Sequence, residues 1–565
     1  MSDRGRPMAL VVTTDGRIGL AIDGPSGGGS RMVTADEVAE LDRTIRPRWV
    51  LWSQDHAGRL VAKGVRLTTC WDVVAVHRLL RGGWSAEPGR IWAASHDLDV
   101  DTVPRPGPGN LFDQPAADDP DPSGPVRPDG HLRPDWADGG WSATDDTVLR
   151  WACLALEVAR RQEALLTEST APRRFRSTAH AESTAELLCA ELTVDGLPFD
   201  RTAAVALLEP LIGRRPRNEA DAAEQRARRD ADVLRHLPPG VHFDLRSPGQ
   251  VKSLLRFVGI EVPDTRAWRL EAIRDAHPVV EALLAWRKAE RMATTYGYSW
   301  LDTHVGEDGR LRGVWSASDG AAGRMTASAG LHNLPADMRV AVRAAPGHRF
   351  VRADLGQIEP RVLASVSGDA ALARATLDDD LYLPVAQQIG VDRPTAKVAV
   401  LGAMYGQTTG HGAQVLPRLR STYPVAMAYL DDGDRAGQAG RDLRTYGGRL
   451  VHTSNGPAPA GDQEARSRAA AQGRFGRNAL VQGAAAELFK VWALTVRARG
   501  IHLGARIVLC LHDELLVHVP TERSDAAALM VADALQEAAH RWAPDGAVRF
   551  VADLSVIDCW ADAKD

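Results

Sequence analysis

Apolar positions between residues 8 and 100 fall in short runs, Met8-Ala-Leu-Val-Val-Thr-Thr14 and Trp49-Val-Leu-Trp52, separated by stretches of helical spacing such as Asp72 to Leu80. Runs of this length bounded by polar turns read as strands, and their alternation with helices predicts a small α/β domain. From Asp101 to Gly140 the periodicity vanishes. Nine prolines lie between Pro104 and Pro134, mixed with Asp and Gly. Such a composition buries too little apolar surface to order its backbone, so a mobile insertion is expected. Residues 145–293 read as mainly helical, with a basic segment at Arg214, Arg215, Arg217, Arg226, Arg228 and Arg229 that suits a solvated helix face. The rest of the chain alternates strands (Phe350-Val-Arg-Ala-Asp354, Ile507-Val-Leu-Cys-Leu511, Leu515-Leu-Val-His-Val519) with long helices and has no visible internal repeat. That predicts an α+β catalytic-type region rather than a solenoid.

The 565 residues, 44% hydrophobic and 25% charged, hold about three to five domains' worth of core, which excludes a disordered or fibrous chain. No window approaches the roughly 18 unbroken apolar residues of a membrane span, and Met1-Ser2-Asp3-Arg4-Gly5-Arg6 is not followed by a signal-type apolar core. A cytoplasmic protein without membrane partners is expected. Cys70, Cys153, Cys189, Cys510 and Cys559 are odd in number, scattered and free of CxxC pairs, which argues for buried thiols and against a disulfide framework or zinc site. A net charge of −5 taken alone speaks against a nucleic-acid partner. Only six of the 68 basic residues are lysine, and the arginine excess accompanies an Ala/Asp/Gly excess typical of GC-rich coding. Each basic cluster must therefore be judged locally.

Three segments carry candidate chemistry. In Val351-Arg-Ala-Asp354-Leu-Gly-Gln357-Ile-Glu359-Pro-Arg361 an apolar strand delivers a carboxylate at its end and a second acid follows at a helix start. Alone, a strand-end Asp is more often a helix cap. In Val508-Leu-Cys-Leu-His512-Asp513-Glu514-Leu-Leu-Val517 two strand-forming runs flank a polar tip, a β-hairpin with acids at its turn; alone, these are solubilising turn residues. Two strand-end carboxylates far apart in sequence are nevertheless what a two-metal phosphoryl-transfer site requires, since Mg²⁺ takes hard oxygen ligands. Between them, Asp392-Arg393-Pro-Thr-Ala-Lys397-Val-Ala-Val-Leu401-Gly-Ala-Met-Tyr405-Gly406 predicts a helix that starts near its proline and ends at Gly406. Arg393, Lys397, Leu401 and Tyr405 then share one stripe. Its two cations suit a triphosphate; the bland alternative is a core helix with two snorkelling bases.

In this order the three segments resemble motifs A, B and C of the family A DNA polymerases, the bacterial polymerase I type, and the likeness extends from Ser169 to Asp565. Phe243-Asp-Leu-Arg-Ser247-Pro248-Gly-Gln250 is similar to the thumb's Ser-Pro-x-Gln stretch. Gly323-Arg324 with Leu331-His-Asn333-Leu-Pro335 resembles the segment that grips the primer–template minor groove, and Arg474, Asn478 and Gln482 resemble a template- and primer-contacting helix. The resemblance implies that Asp354 and Asp513 hold two Mg²⁺ ions, with Mn²⁺ able to substitute and Glu514 in support. Arg393 and Lys397 would hold the triphosphate, Lys397 also protonating pyrophosphate as it leaves. Gln357, Leu401 and Tyr405 would line the nucleotide site, Tyr405 stacking near the templating position. Glu359 would exclude a 2′-hydroxyl. Arg324, Asn333, Arg474, Asn478, Gln482 and His512 would contact DNA.

The implied architecture is an α+β right-hand polymerase preceded by an α/β, RNase H-like, exonuclease-type domain. It would comprise 1–165 as a degenerate 3′→5′ exonuclease-like domain with the insertion at 101–140, 166–300 as a helical thumb, 301–375 and 473–565 as palm, and 376–472 as fingers. The chain would act as a monomeric, nucleoid-associated nucleotidyltransferase on primer–template DNA and dNTPs, in replication or repair synthesis. Three features depart from the family pattern: Leu401 replaces an aromatic, Tyr382 stands where a phosphate-contacting His is usual, and Leu355-Gly356 replaces Tyr-Ser. In the N-terminal region Leu10-Val-Val-Thr-Thr-Asp15 lacks the Asp-x-Glu pair of an active exonuclease, Asp55 is kept, and the stretch at Trp151 lacks its Tyr and Asp. The alternatives are a 3′→5′ exonuclease with the polymerase part as a DNA clamp, a single-subunit RNA polymerase, disfavoured by Glu359 and Glu514, and a non-catalytic scaffold.

Overall fold

The apolar run after Arg6 forms strand β1 (Pro7–Val12), antiparallel to β2 (Ile18–Ile22), which in turn pairs with β3 (Gly29–Val33). On its other edge β1 runs parallel to β4 (Arg48–Leu51), and β4 parallel to β5 (Cys70–Asp72), giving the order 3-2-1-4-5. These details come from a computed structural model that describes residues 5–23, 28–105, 121–406, 411–454, 456 and 461–563. Ala9 and Val11 enter a cluster with Trp71, Trp92 and Trp151, whereas Met8, Leu10 and Val12 enter one with Val38, Leu60 and Leu187. A strand buried on both faces is apolar throughout, which is why β1 stood out in the sequence. Asp72 caps helix α1 (Val73–Arg81), accepting from the Ala75 amide at 2.8 Å. Helix α2 (Asp145–Thr167) opens on a Thr144/Thr147 capping box and lies against β2. A Cβ at Gly19 would stand 2.7 Å from Val148 Cγ1, so the strand needs glycine there for the helix to seat.

Two sequence expectations are corrected here. The insertion is not structureless over 121–140: Val126 and Leu132 form a bridge, Pro134–Ala137 forms a helical turn, and Leu132 and Trp136 are buried in the first cluster. The Pro/Asp/Gly background concealed two apolar anchors, and the Trp136 indole also donates to the Ser123 carbonyl. Residues 106–120 lie outside the described residues. Second, 166–196 does not open the thumb. Helix α3 (Pro172–Asp195) buries Phe175, Ala179, Leu187 and Ala190 in the two clusters around the N-terminal sheet. Its helicity was legible; the surface that it covers was not.

The chain forms two compact units, Met1–Gly196 with Val314–Ser328 and Pro346–Ile557, and Leu197–Gly313 with Ala329–Ala345 and Asp558–Asp565. The second is largely helical. Helices Glu219–Leu234, Pro248–Phe257 and Pro278–Thr295 close a core of Val233, Leu254, Leu270, Leu283 and Trp286. Most of the basic segment is a solvated face, with Arg228 paired to Glu224 at 2.6 Å, whereas Arg229 turns inward and pairs with the largely buried Glu290 at 3.0 Å.

In the first unit, β6 (His348–Leu355), β7 (Arg506–Leu511), β8 (Glu514–Pro520) and β9 (Ala552–Ile557) form an antiparallel sheet of order 7-8-6-9. Helix α4 (Ile358–Ser367) follows β6, helix α5 (Arg393–Tyr405) lies between, and the long α6 (Asp462–Gly500) packs with α7 (Ser524–Trp542). Helix α6 and the turn after it are long and apolar enough to cross a membrane, but 83% of the most apolar window is buried inside the protein, which accounts for its composition.

Helix α3 meets α6 through buried charge. Lys490 donates to both Glu182 oxygens at 2.7 Å, and Arg449 also pairs with Glu182. Glu186, one turn on, accepts only at 3.3 Å from the Ala317 amide, and burial pushes its carboxyl up to about 7. A carboxyl raised in the folded state contributes stability that is fully present below its ordinary value of 4.5 and is lost as pH rises through about 7. Glutamine keeps an acceptor for Ala317 without the charge. E186Q is therefore expected to melt roughly 2 °C or more above wild type at pH 8.5 and together with it below pH 5; a difference that does not vary with pH contradicts this account.

Candidate active site

Residues two apart on a strand share a face, so Arg352 and Asp354 project together from β6. The pairing register sets Asp354 directly opposite Glu514 on β8 and Asp553 on β9. Like charges abreast repel, and Arg352 offsets this: its Nη2 donates to Asp354 Oδ2 at 2.8 Å, its Nε to Glu514 Oε1 at 2.9 Å, and Nη1 lies 3.6 Å from Asp553. The hairpin between β7 and β8 presents Asp513. Its carbonyl accepts from the Leu355 amide at 2.8 Å, tying the tip to the end of β6. Burial, then the neighbouring Asp513 charge, push Asp354 up to about 6, and burial raises Asp513 also. Among the described residues no three His, Cys, Asp or Glu side chains converge as a ready cage. The Asp354–Asp513 pair nonetheless fits a hard divalent cation: oxygen donors only, close enough for the Asp513 charge to oppose the ionisation of Asp354.

Beside this pair lies a cavity of about 400 Å³, lined among others by Arg324, Gln357, Leu401, Gln482, His512 and Asp513. Glu359 and Tyr405 also line it and hold each other: Tyr405 donates to Glu359 Oε2 at 2.6 Å, and Arg324 donates to Glu359 Oε1 at 3.1 Å. Burial and the Glu359 contact push the Tyr405 phenol up to about 12, so it stays a donor. Burial and the nearby Arg324 lower His512. Gln357 turns the chain from β6 into α4 with φ at 52°, and its amide is engaged, accepting from the Leu381 amide at 3.0 Å and donating to Asp380 at 3.2 Å.

Helix α5 begins and ends as its sequence predicts, with Asp392 accepting from the Thr395 amide at 2.7 Å and Gly406 in the left-handed region. Ala396, Ala399, Val400, Ala403 and Met404 are buried against Tyr382, Leu419 and Tyr423. The opposite stripe stays accessible: Arg393 and Lys397 are exposed, and Leu401 and Tyr405 half-buried. Arg393 pairs with Asp380 and lies 5.9 Å over the Tyr382 ring.

Of the sequence-predicted residues, eight thus share the cavity, Asp354 and Glu514 stand on the adjoining sheet, and Arg393 and Lys397 occupy the outer end of the helix that carries Leu401 and Tyr405. Arg474 is exposed, and its side chain lies where a Cβ on Gly406 would come within 3.0 Å. Asn478 is on the same helix as Gln482, its Oδ1 buried without a hydrogen-bond partner among the described residues. Asn333 lies in the second unit, where its carbonyl accepts from Tyr296 at 2.7 Å and Arg291 at 3.1 Å. Sequence reasoning missed Arg352, Asp553 and Arg361. The Arg-x-Asp alternation on β6 signals the first, whereas Asp553 enters only through strand register. Arg361, wholly buried, donates to the carbonyls of Gly356, Thr376, Asp378, Asp379 and Arg549, which locks the segment before Asp380 against α4.

The model of DNA polymerase family A matches residues 217–562. The thermostable DNA polymerase I of Thermus aquaticus is 29% identical over 357 residues, 56% of this chain and 42% of that protein. That of Thermus filiformis is 30% identical over 297 residues, 48% and 35% of the two chains. The match thus spans well under half the length of these relatives. Among solved structures, the POL domain of Pol1 from M. smegmatis, in complex with DNA primer–template and dNTP, superposes with a TM-score of 0.69 at 22% identity, over 100% of this chain and 97% of that one. The likeness of fold spans the whole chain, the family match covers more than half of it, and the three motif segments all lie inside the matched region: the chain belongs to DNA polymerase family A.

Proposed function

We propose that this chain is a DNA-directed DNA polymerase that extends a primer 3′-hydroxyl with dNTPs, releasing pyrophosphate. The observation that carries the reading is that the hairpin tip bearing Asp513 is tied to the end of β6, next to Asp354, beside a cavity walled in part by Leu401 and Tyr405 of α5. Phosphoryl transfer is mainly positioning and neutralisation of charge, and the side chains gathered here provide both. Asp354 and Asp513 would hold two Mg²⁺ ions. When bound, such ions lower the pKa of an attacking hydroxyl and neutralise the leaving phosphates. Arg393 as a fork and Lys397 as a point charge receive the triphosphate, Arg393 exchanging Asp380 for phosphate oxygens, and Lys397 supplies the proton that pyrophosphate takes. Glu359, fixed from two sides by Tyr405 and Arg324, blocks the space next to the sugar C2′. Gln482, Arg474, Asn478, Asn333, Arg324 and His512 engage primer and template, and Tyr405 offers an aromatic face to the templating base.

For the N-terminal domain we propose an exonuclease-like fold without proofreading. Support comes from the 3-2-1-4-5 sheet and from the state of its acids: Asp15 is tied to Arg17 and Thr13, and Asp72 is buried as the cap of α1. Trp52 and Trp151 stack with centroids 4.4 Å apart beneath this sheet.

Primer extension tests the reading. Wild type is expected to extend a primed template with dNTPs, and D354N or D513N to lose at least about 10²–10³-fold in rate while still binding the duplex. With Mg²⁺ and no nucleotides the labelled primer should keep its length; rapid 3′ shortening that survives in D354N would assign the chain to the nucleases instead. E359A is expected to raise ribonucleotide relative to deoxyribonucleotide incorporation by roughly 10²-fold, measured as a ratio of kcat/KM values. An unchanged ratio removes Glu359 from sugar selection.

A further inference from the structure

Resting on the polymerase reading above, we infer that Arg352 is a resident cation of the carboxylate site: it positions Asp354 and Glu514 in the metal-free protein and competes with divalent ions for Asp354. The side chain is 8% exposed and lies on the central strand β6, between β8 and β9, so its placement is set by backbone pairing on both edges. It engages one oxygen of Asp354 at 2.8 Å and one of Glu514 at 2.9 Å, both charge-assisted bonds, with Asp553 a third acid at 3.6 Å. A guanidinium presents several donors in a fixed fork and can bridge two carboxylates at once; a lysine ammonium at the same place is a single point charge on a flexible stem.

Three consequences follow from this placement. Asp354 Oδ2 already accepts from Nη2, so one of its acceptor sites is taken and an incoming cation must share that oxygen with the guanidinium, use Oδ1 or displace Nη2. The fixed positive charge also weakens the attraction that the surrounding acids exert on a divalent ion. In return, the acids abreast across β8, β6 and β9 keep one arrangement without metal instead of repelling each other apart.

The test is Mn²⁺ binding to the full chain without DNA or nucleotide, followed by electron paramagnetic resonance, for wild type, R352Q and R352K. R352Q is expected to bind Mn²⁺ about tenfold more tightly and R352K two- to threefold more tightly, the direction set by removing or unfastening a neighbouring cation. Thermal melting in a chelator should place R352Q below wild type, with a larger upward shift on adding Mn²⁺. A folded R352Q that binds Mn²⁺ no more tightly than wild type overturns the inference. If R352Q does not fold without metal, R352K decides, and an affinity equal to wild type overturns it. Primer extension by wild type, run in parallel, separates the two claims: its absence sinks the polymerase reading, while a tightened Mn²⁺ affinity in the variants would still stand.

Discussion

The register of β6 between β8 and β9 is the constraint from which the site follows. Side chains alternate faces along a strand, so a slip of one residue would turn Asp354 into the opposite layer and bring Val351 and Ala353 to the surface that now carries acids. Held in register, the sheet aligns Asp354 with Glu514 and Asp553, and the Leu355 amide reaches the hairpin tip and draws Asp513 alongside. The cavity inherits its walls from the same arrangement. Gln357 leaves β6 in a left-handed turn that starts α4, which brings Glu359 to the cavity, and Arg361 clamps the following loop so that Asp380 meets Arg393.

What could be read in advance was what depends on neighbours in sequence. Strand ends bearing acids, a proline-started helix with a cationic stripe and a hairpin with a polar tip are local patterns, and each element formed within a residue or two of its expected bounds. The stripe of α5 was open to two interpretations, and packing meets what both require: its apolar side is covered by Tyr382, Leu419 and Tyr423, leaving Arg393 and Lys397 in solvent. Non-local facts escaped. Nothing near Asp553 in sequence points to Asp354, and nothing in α3 says that it covers the N-terminal sheet. The 121–140 stretch misled for another reason, since composition averages over a window and two residues, Leu132 and Trp136, were enough to dock it.

Two of the three departures from the family pattern, Tyr382 and Leu401, line the cavity. Tyr382 is buried beneath Arg393 as a ring rather than a titrating imidazole, and burial pushes its phenol up to about 12, so this position carries no charge at neutral pH. Leu401 adds an aliphatic surface next to it. That wall is apolar and aromatic, and the charge of α5 is carried by Arg393 and Lys397 at its outer end.

The ion pairs between α3 and α6 give the N-terminal domain a role separate from any chemistry of its own. Lys490 sits at 1% exposure with Glu182 as its counter-charge, and Arg449 leans on the same carboxylate. Stranding a buried ion costs on the order of 3–5 kcal/mol, so removing the Glu182 carboxylate alone would leave Lys490 and Arg449 buried without the counter-charge that they share. The domain's helix α3 is thus a structural keel for the part of the chain that carries Lys490 and Arg449.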